Sequence, residues 1–66
     1  DNASYLVGRT VTGAILDEAG QPTLDADGRV STVTGKVLSC RVTADDVIFI
    51  LNDAYELPLS ALQRIS

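Results

Sequence analysis

Histidine, methionine and tryptophan are absent from this chain, cysteine occurs once, and the five Lys and Arg are outnumbered by nine Asp and Glu. Each shortage excludes a kind of chemistry. Without an imidazole, Ser39, Ser60 and Ser66 lack the base of the usual hydrolase relay. Cys40 likewise has no histidine to activate its thiol or to complete a zinc set, and a single cysteine forms no internal disulfide. Cys40 therefore reads as a small core residue. A formal charge of −4 and a pI near 4.3 repel phosphate backbones and anionic membranes, so nucleic acid is not an expected partner. No apolar stretch approaches the ~20 residues of a membrane helix, and no basic start leads into an apolar segment, so neither membrane insertion nor a signal peptide is expected. Tyr5, Phe49 and Tyr55 are the only aromatics. Three are too few for a core and a surface aromatic cluster together, and core use is the expectation.

What is there is one small domain, residues 1–66. A chain of this size buries only about 60% of the surface that its unfolded form exposes. Below roughly 70–80 residues a lone core rarely supplies more than a few kcal/mol. With neither disulfide nor metal, contacts with partner proteins are the remaining source of stability. The chain begins at Asp1 without a methionine, so a segment of a longer protein is expected.

Along the chain the signals are those of strands and turns. Residues 6–12 alternate well enough to predict a first strand bent at Gly8 and ended by Gly13. Residues 14–28 are a long surface excursion with turn signals at residues 18–22 and 25–28 and a loose hairpin through Ile15-Leu16 and Thr23-Leu24. Residues 29–43, dense in Val, Thr and Ser, predict one long bent strand in which Gly35 marks a bulge or a close backbone approach. Asp45 and Asp46 read as solvated residues of the next turn. The apolar run Val47-Ile48-Phe49-Ile50-Leu51 is a strand, and a short one follows near Leu57. Pro58 ends its pairing, and a 3₁₀ turn then leads into a last short strand. Leu57, Leu59, Leu62 and Ile65 are expected to seal the end of a small closed β-barrel. No internal repeat is evident.

Asp25-x-Asp27-Gly28 has the look of a calcium loop, but Thr23 and Thr34 stand where that register needs further acids, so a hairpin turn is the better reading. Gly35-Lys36 is not a phosphate loop, because Val37 replaces the required Ser or Thr. Adjacent acids such as Asp17-Glu18 point apart on extended chain and make no acid/base pair. No catalytic residue, cofactor, metal or small-molecule substrate is expected.

Two registers compete for Val47 to Leu51. A two-residue turn at Asn52-Asp53 pairs Ile50 with Tyr55 and buries the isoleucines. A three-residue turn through Ala54 pairs Leu51 with Tyr55, Phe49 with Leu57 and Ile50 with Glu56. The second buries the largest apolar side chain and is expected. It leaves Ile48, Ile50 and Glu56 on the outside as candidate partner-facing residues.

Leu6-Val7-Gly8-Arg9-Thr10-Val11, Val33-Thr34-Gly35-Lys36-Val37 and Leu57-Pro58-Leu59-Ser60-Ala61-Leu62-Gln63-Arg64-Ile65 together resemble the small barrel region of the flagellar hook-capping protein family, whose relatives also occur in tailed-phage particles. The resemblance implies an all-β, five-stranded SH3-like or Tudor-like barrel with a short 3₁₀ turn before the last strand. It also implies a structural part of a hook cap or of a phage tail or baseplate, in the flagellum or the virion, with protein subunits as partners and a homo-oligomer in context. In some members an immunoglobulin-like domain interrupts the barrel where this chain has only residues 14–28, and the family's helical N-terminal segment is missing here. The competing expectation is an independent SH3-like module that captures a peptide between Tyr5 and Tyr55.

Overall fold

The structure, a computed structural model, describes residues 2–66. A 3₁₀ turn at Asn2–Leu6 leads into five strands: β1 (Thr10–Ala14), β2 (Thr32–Val42), β3 (Val47–Leu51), β4 (Glu56–Pro58) and β5 (Leu62–Ile65). A second 3₁₀ turn, Leu59–Ala61, joins β4 to β5. The strands form one antiparallel sheet in the order β4-β3-β2-β1-β5. The expectation of a mostly β, five-stranded domain with a 3₁₀ turn before its last strand holds. The ladder itself does not close, and β4 and β5 are its two edges. Yet these edges are consecutive in the chain and separated by only three residues, so the sheet must curl to bring them together.

The length of β2 makes this possible. Its first half pairs with β1, from Thr10 opposite Lys36 to Ala14 opposite Thr32, and its second half pairs with β3, from Val37 opposite Leu51 to Val42 opposite Val47. The irregularity lies between Val37 and Ser39, not at Gly35, which stays in step with Val11. Gly35 is instead a close approach, since a Cβ there would lie 3.1 Å from Asn52 Oδ1 and 3.2 Å from Leu51 Cδ1. Gly13 does not end the first strand either. It sits inside β1, where a Cβ would lie 2.5 Å from Leu57 Cδ1 and 2.9 Å from the Ala61 carbonyl oxygen. Absence of a side chain there lets the second 3₁₀ turn pack onto β1.

The interior consists of Leu6, Val11, Ala14, Val37, Phe49, Leu51, Leu57 and Ala61, with Tyr55, Leu62 and Cys40 half-buried against it. The one buried polar side chain among the described residues, Thr12, shares a 2.8 Å hydroxyl hydrogen bond with Thr34 across the β1–β2 pair, so its burial leaves nothing unpaired.

Several expectations are corrected. The chain before Thr10 is not strand: Val7 N–H donates to Ser4 O and Arg9 N–H to Leu6 O, and these tight turns send Leu6 inward and Tyr5 outward. Tyr5 is 69% exposed and is not a core aromatic. At the closing end, Leu59 and Ile65 are 41% and 39% exposed, and the small Ala61 takes the buried place of the 3₁₀ turn beside Gly13.

Residues 15–31 hold a feature that the reading without repeats missed. Residues 16–23, Leu-Asp-Glu-Ala-Gly-Gln-Pro-Thr, and 24–31, Leu-Asp-Ala-Asp-Gly-Arg-Val-Ser, form two successive hairpins with the same bonds. In the first, Asp17 Oδ1 accepts from Ala19 and Gln21 N–H at 2.9 Å each; in the second, Asp25 Oδ1 accepts from Asp27 N–H at 2.9 Å and Arg29 N–H at 3.0 Å. Asp17 N–H donates to Gln21 O and Asp25 N–H to Arg29 O, while Gly20 and Gly28 close the turns with φ of +80° and +79°. Only glycine takes that backbone region without cost. Each is a three-residue loop with a left-handed last residue. The Asp25-x-Asp27-Gly28 stretch is thus a hairpin turn, and its first carboxylate is engaged with backbone amides.

Candidate functional site: the outer face of β2, β3 and β4

Strand β3 adopts the three-residue-turn register. Leu51 N–H donates to Tyr55 O and Ala54 N–H to Leu51 O, both at 2.9 Å, and Phe49 stands opposite Leu57 with Ile50 opposite Glu56. Phe49 and Leu51 are fully buried, so alternation turns Ile48 and Ile50 to the opposite, outer face. Across the ladder Ile48 lies between Arg41 and Pro58, and Ile50 between Ser39 and Glu56. Both isoleucines are half-buried rather than open, because these neighbours flank them on each side. Glu56 is exposed and its carboxylate accepts a hydrogen bond from Arg41. Both side chains of that ion pair are more than half exposed, so water screens it and it contributes little to stability. The face is therefore an apolar pair framed by one compensated ion pair, a serine and a proline.

More fully exposed apolar side chains lie elsewhere. Tyr5, Val7, Leu24, Val30, Leu38, Val42, Leu59 and Ile65 are all exposed. Val7 and Leu38 each adjoin the 2.8 Å hydrogen bond from Gly8 N–H to Val37 O, so they belong to one neighbourhood at the start of the second half of β2. No sequence pattern singled out Leu38, because the irregularity beside it breaks strand alternation.

Asp46 is also not the free turn residue expected. Its Oδ2 accepts the Ser60 hydroxyl at 2.7 Å and its Oδ1 accepts the Val47 N–H at 2.7 Å. The Ser60 hydroxyl, with further backbone amides of Val47, Ser60 and Leu59, holds its carboxyl below the ordinary range. The β2–β3 turn thus clamps the 3₁₀ turn between β4 and β5. The partners are 14 positions apart, a separation with no local signature. Cys40 stands opposite Phe49 against the core. Among the described residues no three His, Cys, Asp or Glu side chains gather as metal ligands.

Comparison of the chain with protein-family models, with curated proteins and with solved structures finds no match.

Proposed function

We propose that this chain is a structural module of a larger protein assembly, an SH3-like or Tudor-like barrel that works through protein–protein contacts. The observation that carries this reading is the division of apolar side chains. Among the described residues, eight large ones are exposed, as many as the residues that make the core, two of which are alanines. A domain with so small an interior gains from neighbours that bind only its folded form. The strand order, the division of β2 between two partners and the three-residue link between the edges support the barrel reading.

The resemblance to the hook-capping family gives the kind of assembly: a hook cap, or a phage tail or baseplate, built from protein subunits that include copies of the same chain. Ile48, Ile50 and Glu56 are the proposed contact residues, since covering the two apolar side chains is favourable and Glu56 keeps its Arg41 partner when water is displaced. An independent peptide-capturing module is the competing reading; it draws on the exposure of Tyr5 alone, because Tyr55 is half-buried against the core.

Substituting Ile48 and Ile50 together by threonine in the full parent chain tests the proposal. Loss of incorporation into the assembly, with cooperative unfolding of this domain retained, is expected. Normal incorporation would exclude this face as a contact. A Tyr5→Ala variant that assembles normally but no longer captures extended peptides would favour the competing reading.

A further inference from the structure

The two hairpins of residues 15–31 meet in an unusual junction. Ile15 N–H donates to Ser31 O at 2.9 Å, Ser31 N–H donates to Thr23 O at 2.9 Å, and Thr23 N–H donates to Ile15 O at 2.8 Å. The three residues form a closed ring of backbone hydrogen bonds. They lie eight positions apart, one at the end of each hairpin and one at the end of β1. In a plain antiparallel ladder that continued from Ala14 opposite Thr32, Ile15 and Ser31 would exchange both bonds with each other. Here one of the two is kept, and the other is diverted through Thr23.

We infer that residues 16–23 and 24–31 are two interchangeable copies of one hairpin unit, set in tandem into a single pair of the β1–β2 ladder, so that the domain displays two equivalent turns and needs only one of them to fold. Each position shared by the copies has a structural task. Leu16 and Leu24 form the bridges to Pro22 and Val30, Asp17 and Asp25 cap the turns, Gly20 and Gly28 supply the left-handed residue, and Thr23 and Ser31 enter the ring. The positions that differ, Glu18-Ala19 against Ala26-Asp27 at the tips and Gln21-Pro22 against Arg29-Val30 on the returning arms, are all exposed. The frame is thus repeated while the displayed residues vary.

Removal of either unit restores the plain ladder. Without residues 24–31, Thr23 precedes Thr32 and exchanges both bonds with Ile15. Without residues 16–23, Ile15 and Ser31 exchange both bonds, and Leu24 follows Ile15 in the place of Leu16, which packs against the core. The shorter connection also lowers the cost of loop closure.

The test compares three variants of the chain: deletion of residues 24–31, deletion of residues 16–23, and replacement of residues 16–23 by a second copy of 24–31. All three are expected to unfold cooperatively, with midpoints within about 8 °C of the parent. In the first deletion the amides of Ile15 and Thr23 should both be protected from hydrogen exchange, as a reciprocal pair requires. Loss of a cooperative transition in the 24–31 deletion would overturn the inference, as would its loss in the replacement variant, which keeps the length and the ring and changes only the unit. Rapid exchange of Ile15 and Thr23 in a folded deletion variant would overturn it too.

Discussion

Residues 15–31 and the sheet from which they project are held by different forces. In the projecting hairpins, order comes from backbone hydrogen bonds and from two aspartates, while Leu24 is 64% exposed and only Ile15, Leu16, Thr23 and Ser31 are half-buried. In the sheet, order comes from burial: Val11, Phe49, Leu51 and Leu57 have no measurable exposure. Hydrogen bonds exchanged with water give about 0.5–1.5 kcal/mol net each, whereas burial of a large apolar side chain gives about 1.5–3 kcal/mol and couples it to all its neighbours. The hairpins are therefore locally determined and open separately, while the sheet stands or falls as a unit.

That difference can be broken most forcefully at Phe49. Phe49→Ala should cost about 3–5 kcal/mol, enough in a domain this small to abolish the thermal transition. A transition that persists within a few degrees of the parent would mean that the core is not centred on β3.

A smaller effect is expected where a polar contact holds the β2–β3 turn against the second 3₁₀ turn. Asp46→Ala should cost about 1 kcal/mol through loss of its hydrogen bonds with the Ser60 hydroxyl and the Val47 amide. Because the folded-state carboxyl titrates below its ordinary value of 3.8, its stabilising effect is complete above that value and is lost as the pH falls through the lower folded-state value. Denaturant midpoints measured from pH 5 downward should fall for the parent by an amount that Asp46→Asn does not share. Identical pH profiles would show that the clamp is not formed.

A third change sharpens the comparison by placing the same turn in both regions. The β3–β4 turn is again a three-residue loop with a left-handed last residue, and Tyr55 N–H donates to Asp53 Oδ1 at 3.0 Å as the hairpin amides do to Asp17 and Asp25. Its left-handed residue, however, is Ala54, with φ of +71°. Where the hairpins have glycine, the sheet carries a strained alanine, tolerated because Phe49 and Leu57 fix the register on either side. Ala54→Gly should raise stability by up to about 1 kcal/mol, measured by denaturant unfolding. A loss would show that the turn is not left-handed at that position.

Legibility in the sequence followed the same division. Strand β3, its register, the stop at Pro58, the following 3₁₀ turn and the Asp25 turn all rest on residues near one another in the chain, and all were readable. Tyr5, Leu59 and Ile65 were misplaced because periodicity says which residues share a face but not which end of that face the chain covers. Asp46 was misread because Ser60 reaches it only through the curl of the sheet. The paired hairpins escaped notice because their identical residues are only Leu, Asp and Gly, with Thr and Ser as a similar pair, and such turn formers are common in any loop. The outer-face residues Ile48, Ile50 and Glu56 were readable as a location, and their neighbours Arg41, Ser39 and Pro58 became visible only with the ladder.

Amide hydrogen exchange across a range of denaturant, read residue by residue, tests the separation most directly. The amides of Asp17, Gly20, Asp25 and Gly28 should exchange by local openings insensitive to denaturant, while those of Val37 and Leu51 should exchange only through global unfolding. A single shared opening free energy and denaturant dependence for all of them would contradict the account, because hairpins and sheet would then form one cooperative unit.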